Sequence, residues 1–481
     1  MAITDQLIMS VMSHLRAGKR QEAGKLCRDV LRVEPEHARA HCLLGIIAFQ
    51  DGDAAEALAL LQRAGELNDQ LPDVPRAQAE VYLGIGQIDK ALEAQRRATA
   101  MNPREPMGHL QEAILLQRLE RSEEAEVAAQ RALTLKPDMP GARQLLATLL
   151  YRRGEIAEAA ELLLAVRSAP RPAADPNHHL ALVLLALGRL GELDGLPAAT
   201  APNQVFGETV TGAIAAWLAG DVAACRALRE RARPLAGEGY ADAPNRSVFL
   251  TYLGILEGLL AWREANPAAY AGEAESTIHV MGDSHVLSYS GLVLDTLGEK
   301  RRLQSHLAFG CKAWHLVREE PSPYRAFFEA TAVAIPEGAT VLGVFGELDC
   351  RYKEGLMRVL RRNPLADWRA MTDDLVARYV AFMADTAQAR GWTLWLASPP
   401  MTNVNTTLIG GGEREAFLGI IARFNERLAA EAAARGLPLV DVHAVTRDED
   451  GNALRRHFID TNHVRPAVLL EALAALRATG S

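Results

Sequence analysis

Residues 282–286 read Gly-Asp-Ser-His-Val and follow a run of strand-forming residues, Thr277-Ile278-His279-Val280-Met281. That order puts Ser284 where a strand ends. A hydroxyl nucleophile needs such a place, at the mouth of a sheet, with its own backbone N–H free to point at a substrate oxygen. One Gly-Asp-Ser tripeptide in a chain with 37 glycines carries little weight by itself. A second marked stretch, Asp460-Thr461-Asn462-His463, adds to it, as does the alternation of strand-like and helical segments between the two. The chemistry expected is nucleophilic attack by Ser284. The same residues admit a plainer reading, in which Asp283 and Ser284 end a strand and cap a helix.

The elements that must position these residues are legible as a pattern. Strand-like runs fall at 277–281, 303–309, 339–345, 392–397 and 437–442, with helical stretches such as 368–390 and 413–435 between them. This alternation predicts an α/β domain with a parallel sheet and helices on both faces. Functional residues then belong just past the C-terminal ends of the strands. Three marked segments lie there: 282–285, Gly-Glu-Leu-Asp-Cys-Arg at 346–351, and Ser-Pro-Pro-Met-Thr-Asn at 398–403.

On these blocks, residues 277–478 resemble an SGNH/GDSL-type hydrolase domain, which implies a three-layer, flavodoxin-like α/β fold. The resemblance implies Ser284 as nucleophile, His463 as general base and Asp460 as the carboxylate that orients the imidazole and stabilises the imidazolium. The spacing lets Asp460 and His463 project from one loop ahead of a helix opening at Pro466. The oxyanion donors implied are the backbone N–H groups of Ser284 and Gly310. The third block departs from the family pattern, with Leu348 where an asparagine donor is usual. Loss of one such donor removes about 2.7–4 kcal/mol of transition-state stabilisation. Arg351, Asn403 and Asn405 are the replacements within reach in sequence. Gly-Glu-Leu-Asp-Cys-Arg is also similar to a bacterial subset of the superfamily whose first block is Gly-Asp-Ser-His, which makes replacement the expectation.

Asp283, Glu347, Asp349, Arg351 and Asn403 are the expected substrate-binding residues. A guanidinium at a site mouth suits a carboxylate or phosphate. Glu347, Asp349 and Arg351 also read as a salt-bridged strand end, and Asp460 with His463 as a structural hydrogen-bonded pair. His285 is expected to point into the first turn after Ser284. The pair His178-His179 lacks a companion at metal-ligand spacing, and His279, His306, His315 and His457 form no evident cluster. Neither a metal nor an organic cofactor is expected.

A 34-residue repeat organises the first third. Alanine recurs at Ala23, Ala57, Ala91, Ala125 and Ala159. In phase run Gly18, Gly52, Gly86, Gly154 and Gly188, broken at Glu120. A third column reads Gly45, Ala79, Ala113, Ala147 and Ala181, and a fourth Pro35, Pro103 and Pro137, with Asp69 and Arg171 as exceptions. The period marks helical hairpins of the tetratricopeptide type. Small residues let paired helices approach, glycine turns the chain between them, and proline closes each unit. Five units to about residue 172 form an α-solenoid, 173–270 continue as degenerate helical repeats, and 271–481 form the α/β domain. Such arrays hold protein segments on their concave face, so a protein partner is expected there.

The formal net charge of −8 argues against nucleic acid or an anionic membrane as principal partner. Five scattered cysteines without a Cys-x-x-Cys pair suit a reducing compartment. With no signal-like start and no long apolar run, a cytoplasmic protein without a membrane span is expected. The leading expectation is a serine-dependent acyl ester hydrolase acting on a small acylated or glycan substrate, with a partner-docking array. The alternatives are an O-acyltransferase on a glycan acceptor and a catalytically silent scaffold.

Overall fold

The computed structural model describes residues 3–168, 180–199, 202–237, 246–296, 299–449 and 451–479. Arg171 with its flanking prolines, and His178-His179, lie outside the described residues. The chain divides into two compact units, Met1–Leu149 and Leu150–Ser481. The boundary therefore falls inside the fifth 34-residue repeat, whereas the repeat register and composition suggest divisions at 172 and 270.

The first unit is built of helix pairs. Ile3–Arg16 and Arg20–Val33 form the first, followed by Ala38–Gln50 with Ala54–Leu67, Asp73–Gly84 with Ile88–Met101, and Pro106–Arg118 with Ser122–Leu135. The fifth pair, Pro140–Arg153 and Ile156–Arg167, spans the division. Every member of the alanine column is fully buried. A Cβ at Gly45 would lie 2.9 Å from the Leu61 side chain and 3.1 Å from the Ala57 carbonyl, so the small column does set the helix approach. The glycine column adopts positive φ at Gly18, Gly52, Gly86, Gly154 and Gly188. At the break in the column, Glu120 takes φ 59°, alone among the described non-glycine residues. The turn keeps its geometry where the sequence loses its glycine.

The second unit contains a six-stranded sheet: β1 Ser276–Gly282, β2 Val293–Thr296, β3 Glu299–Leu307, β4 Thr340–Val344, β5 Thr393–Ala397 and β6 Leu439–Val440, in the order β2-β3-β1-β4-β5-β6. The five strands other than β2 are parallel to one another. Strand β2 is antiparallel to β3, so the sheet is mixed rather than wholly parallel. Strand β2 is only four residues long and the first half of β3, Glu299-Lys300-Arg301-Arg302, is charged, so neither shows the apolar run of a buried strand.

Side chains alternate between two cores, as the two-residue period of a strand requires. Ile278, Val280, Leu342, Val344, Trp395 and Ala397 face one core. Met281, Val341, Leu394 and Leu396 face the other, which the helices Pro323–Val333, Trp368–Arg390 and Gly411–Ala434 cover. The first core is closed by Ala467–Thr479 and by two helices that read in sequence as connector, Pro202–Leu218 and Arg246–Ala265. Phe249, Tyr252, Ile255, Leu256 and Leu259 of the latter are buried there. These helices are part of the layer over the sheet. No helix of the described residues is long and apolar enough to cross a membrane.

Candidate active site

Strand β1 delivers Ser284 two residues past its end at Gly282. A Cβ at Gly282 would stand 2.1 Å from the Val344 carbonyl oxygen, so only glycine lets β1 pass β4 this closely. Asp283 then turns the chain into a short 3₁₀ segment, Ser284–Tyr289, its Oδ1 accepting the His285 backbone N–H at 2.9 Å. Ser305 and Ser288 pin the segment, their hydroxyls donating to the Val286 and Val464 carbonyls.

Across 179 residues of sequence, Ser284 Oγ lies 2.8 Å from His463 Nε2. His463 Nδ1 lies 2.8 Å from Asp460 Oδ2, and Asp460 Oδ1 accepts the backbone N–H groups of Asn462 and His463. The three expected catalytic side chains thus form one hydrogen-bonded chain. Burial pulls His463 below the ordinary imidazole range, against the opposing effect of the hydrogen bond it donates to Asp460. Burial would raise the Asp460 carboxyl, but the hydrogen bond and charge of His463 and the two N–H groups hold it well below its usual range. The pair is therefore a neutral base beside an ionised carboxylate, the state in which an imidazole can accept a hydroxyl proton.

Neither the Ser284 nor the Gly310 backbone N–H donates to an acceptor among the described residues. For Ser284 this follows from its place in the first turn of a helical segment, where N–H groups have no intrahelical partner. Leu348 is buried and brings no polar group. Asn403 and Asn405 do not fill its place. Asn403 Nδ2 donates to the Asp460 carbonyl at 3.3 Å, and Asn405 caps the turn at Thr407. Arg351 Nε donates to both Glu347 oxygens at 2.9 Å, while its buried Nη2 makes no hydrogen bond. Its partner Glu347 stands 3.7 Å from His285 Nδ1, which places Arg351 beside the site.

Most polar groups of the other expected substrate-binding residues are engaged within the protein, the exception being the buried Oδ2 of Asp283, which makes no hydrogen bond. Asp349 accepts the backbone N–H groups of Ala313 and Trp314 at 2.8 and 3.1 Å, anchoring the turn after Gly310. Burial pushes its carboxyl up to about 7. Glu347 holds Arg351, Asp283 holds His285, and Asn403 braces the loop carrying Asp460 and His463.

Two site residues escape sequence reading. His285 turns back from the helix it was expected to enter, and its ring stacks on that of His463, centroids 4.9 Å apart. Tyr252, from the helix Arg246–Ala265, is buried, stacked on Phe309 at 5.1 Å, and lies near Ser284. Nothing in spacing or motif ties position 252 to position 284; only the packing of that helix on the sheet does. His279 and His306 also pair, Nδ1 to Nε2 at 2.8 Å, through the register of β1 beside β3. Asp283, His285 and Glu347 offer ligand atoms within 4.8 Å of one another. Both oxygens of Glu347 are held by the Arg351 guanidinium, whose charge opposes a second cation there, so the trio does not fit a resident cation. The thiols of Cys311 and Cys350 are pushed well above their ordinary range by burial, which makes them poor nucleophiles.

The tetratricopeptide repeat family profile matches residues 8–72, 76–140 and 110–179. The chain matches no curated protein in sequence. Among solved structures it is similar to MamA, at 18% identity, covering 34% of this chain and 91% of that one, with a TM-score of 0.30. It is similar to PilF of Pseudomonas aeruginosa at 14% identity, 52% and 96% coverage and a TM-score of 0.37. A thermophilic TPR protein of Thermus thermophilus matches at 23% identity, 38% and 99% coverage and a TM-score of 0.31. The first third of the chain is a tetratricopeptide repeat array, a type of scaffold that commonly binds protein partners.

Proposed function

With a tetratricopeptide array ahead of it, we propose that the α/β unit is a serine-dependent acyl ester hydrolase of the SGNH type, docked to its partner through the repeats. The observation that carries this reading is the chain Ser284–His463–Asp460, closed by contacts of 2.8 Å at each step. Omitting β2, the parallel strands run in the order 2-1-3-4-5 of flavodoxin-like sheets, and the site lies past their C-terminal ends, as that architecture favours.

In the reaction, His463 takes the Ser284 proton as Oγ attacks the ester carbonyl, and returns it to the departing alcohol. Water then resolves the acyl-enzyme by the same steps. The N–H groups of Ser284 and Gly310 receive the oxyanion, and the unpaired Nη2 of Arg351 supplies the third donor where Leu348 brings none. A sugar hydroxyl in place of water makes the same site an acyltransferase, the difference lying in how well water is excluded. The specific observation favouring a silent scaffold is Leu348. A buried guanidinium nitrogen, Arg351 Nη2, without a hydrogen-bond partner weighs against that reading.

The test is labelling of the full chain with a fluorophosphonate probe. Wild-type labelling that disappears in Ser284→Ala and His463→Ala is the expected result. An unlabelled, folded wild type would leave the scaffold.

A further inference from the structure

The ring of His285 is enclosed by groups that can only accept. Nε2 lies 3.0 Å from the Asn462 carbonyl oxygen, which has no proton to give, so Nε2 carries one. Nδ1 lies 2.9 Å from Asp283 Oδ1, an oxygen that also accepts the His285 backbone N–H. Glu347 Oε2 stands 3.7 Å from the same Nδ1. The charged and titratable groups around the ring are Asp283 on its own loop, Glu347 and Arg351 after β4, and His463 with Asp460 on the 460–463 loop. Asp283 and Glu347 are buried and face a single guanidinium, that of Arg351. A neutral His285 leaves an unbalanced carboxylate in the interior, and a charged one balances it.

We propose that His285 is a doubly protonated imidazolium that acts as a positioning residue for His463, fixing its ring by stacking and keeping it unprotonated to receive the Ser284 proton. This deepens the hydrolase reading and rests on it. The physical reason is repulsion between like charges. A cation stacked at 4.9 Å disfavours a second on His463, whereas Asp460 favours it. The carbonyl of Asn462, one residue before His463, takes the His285 proton donor, so the same ring also fixes the loop that carries the base. Consistent with this, burial is outweighed at His285 by Asp283 and then Glu347, and its proton affinity rises to about 9. This charge balance gives the histidine after the nucleophile a task that a helix-capping reading does not.

The experiment uses the full chain with ring-labelled histidine, the two signals assigned with H285Q and H463Q. At pH 7.5 both ring nitrogens of His285 are expected to show the protonated signature. In H285Q, the midpoint for protonation of His463, and with it the acid limb of fluorophosphonate labelling, should move up by about one pH unit or more. A bare nitrogen on His285 at pH 7.5, or an unmoved midpoint in a folded H285Q, overturns the proposal. If H285Q does not fold, the wild-type spectrum and that of D283N, which should release the His285 proton near neutral pH, decide it. Absence of labelling at every pH would sink the hydrolase reading alone, since the ring signals still report the charge of His285.

Discussion

Two histidines 4.9 Å apart are driven in opposite directions by the same interior. Burial lowers His463, while Asp283 and Glu347 overcome burial and raise His285 to about 9. Activity that depends on neutral His463 should therefore persist below the ordinary imidazole midpoint of about 6.5. A pH profile of Ser284 labelling whose acid limb falls at or above that value would contradict it. Stability carries the opposite signature from His285. Its folded proton affinity exceeds the unfolded one, so its contribution is complete below about 6.5 and lost as pH rises through about 9. Denaturant midpoints should fall across that window in wild type and less in H285Q. At the oxyanion, Arg351→Ala should lower kcat on neutral esters by about 10²–10³, the typical effect of losing one donor. Loss confined to anionic substrates would instead make Arg351 a charge receptor.

At the scale of elements, the helix Arg246–Ala265 does two things. It covers one sheet face and it brings Tyr252 to Ser284. Tyr252→Phe keeps the stacking on Phe309 and removes only the hydroxyl, so it should reduce kcat while leaving the melting transition in place. In the repeats, Glu120 holds a left-handed turn that its column otherwise gives to glycine. Relief of that backbone strain, less the entropy glycine adds to the unfolded chain, should make Glu120→Gly stabilising by about 0.5–1 kcal/mol. An unchanged or lower transition for the repeats would show that the turn is not strained.

For the whole molecule, the division at Leu149/Leu150 has a practical consequence. A fragment 271–481 contains every strand and the Ser284–His463–Asp460 chain, yet lacks Phe249, Tyr252, Ile255, Leu256 and Leu259 over the sheet. At about 1.5–3 kcal/mol for each large apolar side chain, their loss removes on the order of 10 kcal/mol, comparable to the stability of a whole domain. Residues 150–481 should give a cooperative unfolding transition and 271–481 should not. Calorimetry of the two fragments decides it.

The local content of the chain determined much of this. A 34-residue period is written in Ala23, Gly52 and Pro103, because helix pairing and turn geometry depend on residues a few positions apart. The ends of β1, β4 and β5 were legible for the same reason, as was Ser284 as the residue past a strand. Tertiary structure decided the rest. The edge strand β2 is only four residues long, too short for a pattern, and is fixed by pairing with β3. Tyr252 and His285 enter the site only because a helix packs on the sheet and a loop 177 residues away offers a carbonyl. Arg351 has an unpaired Nη2 only because Glu347 takes its Nε and the interior admits no other partner. Such contacts join positions with no fixed spacing, and their energies depend on burial, which sequence order does not encode.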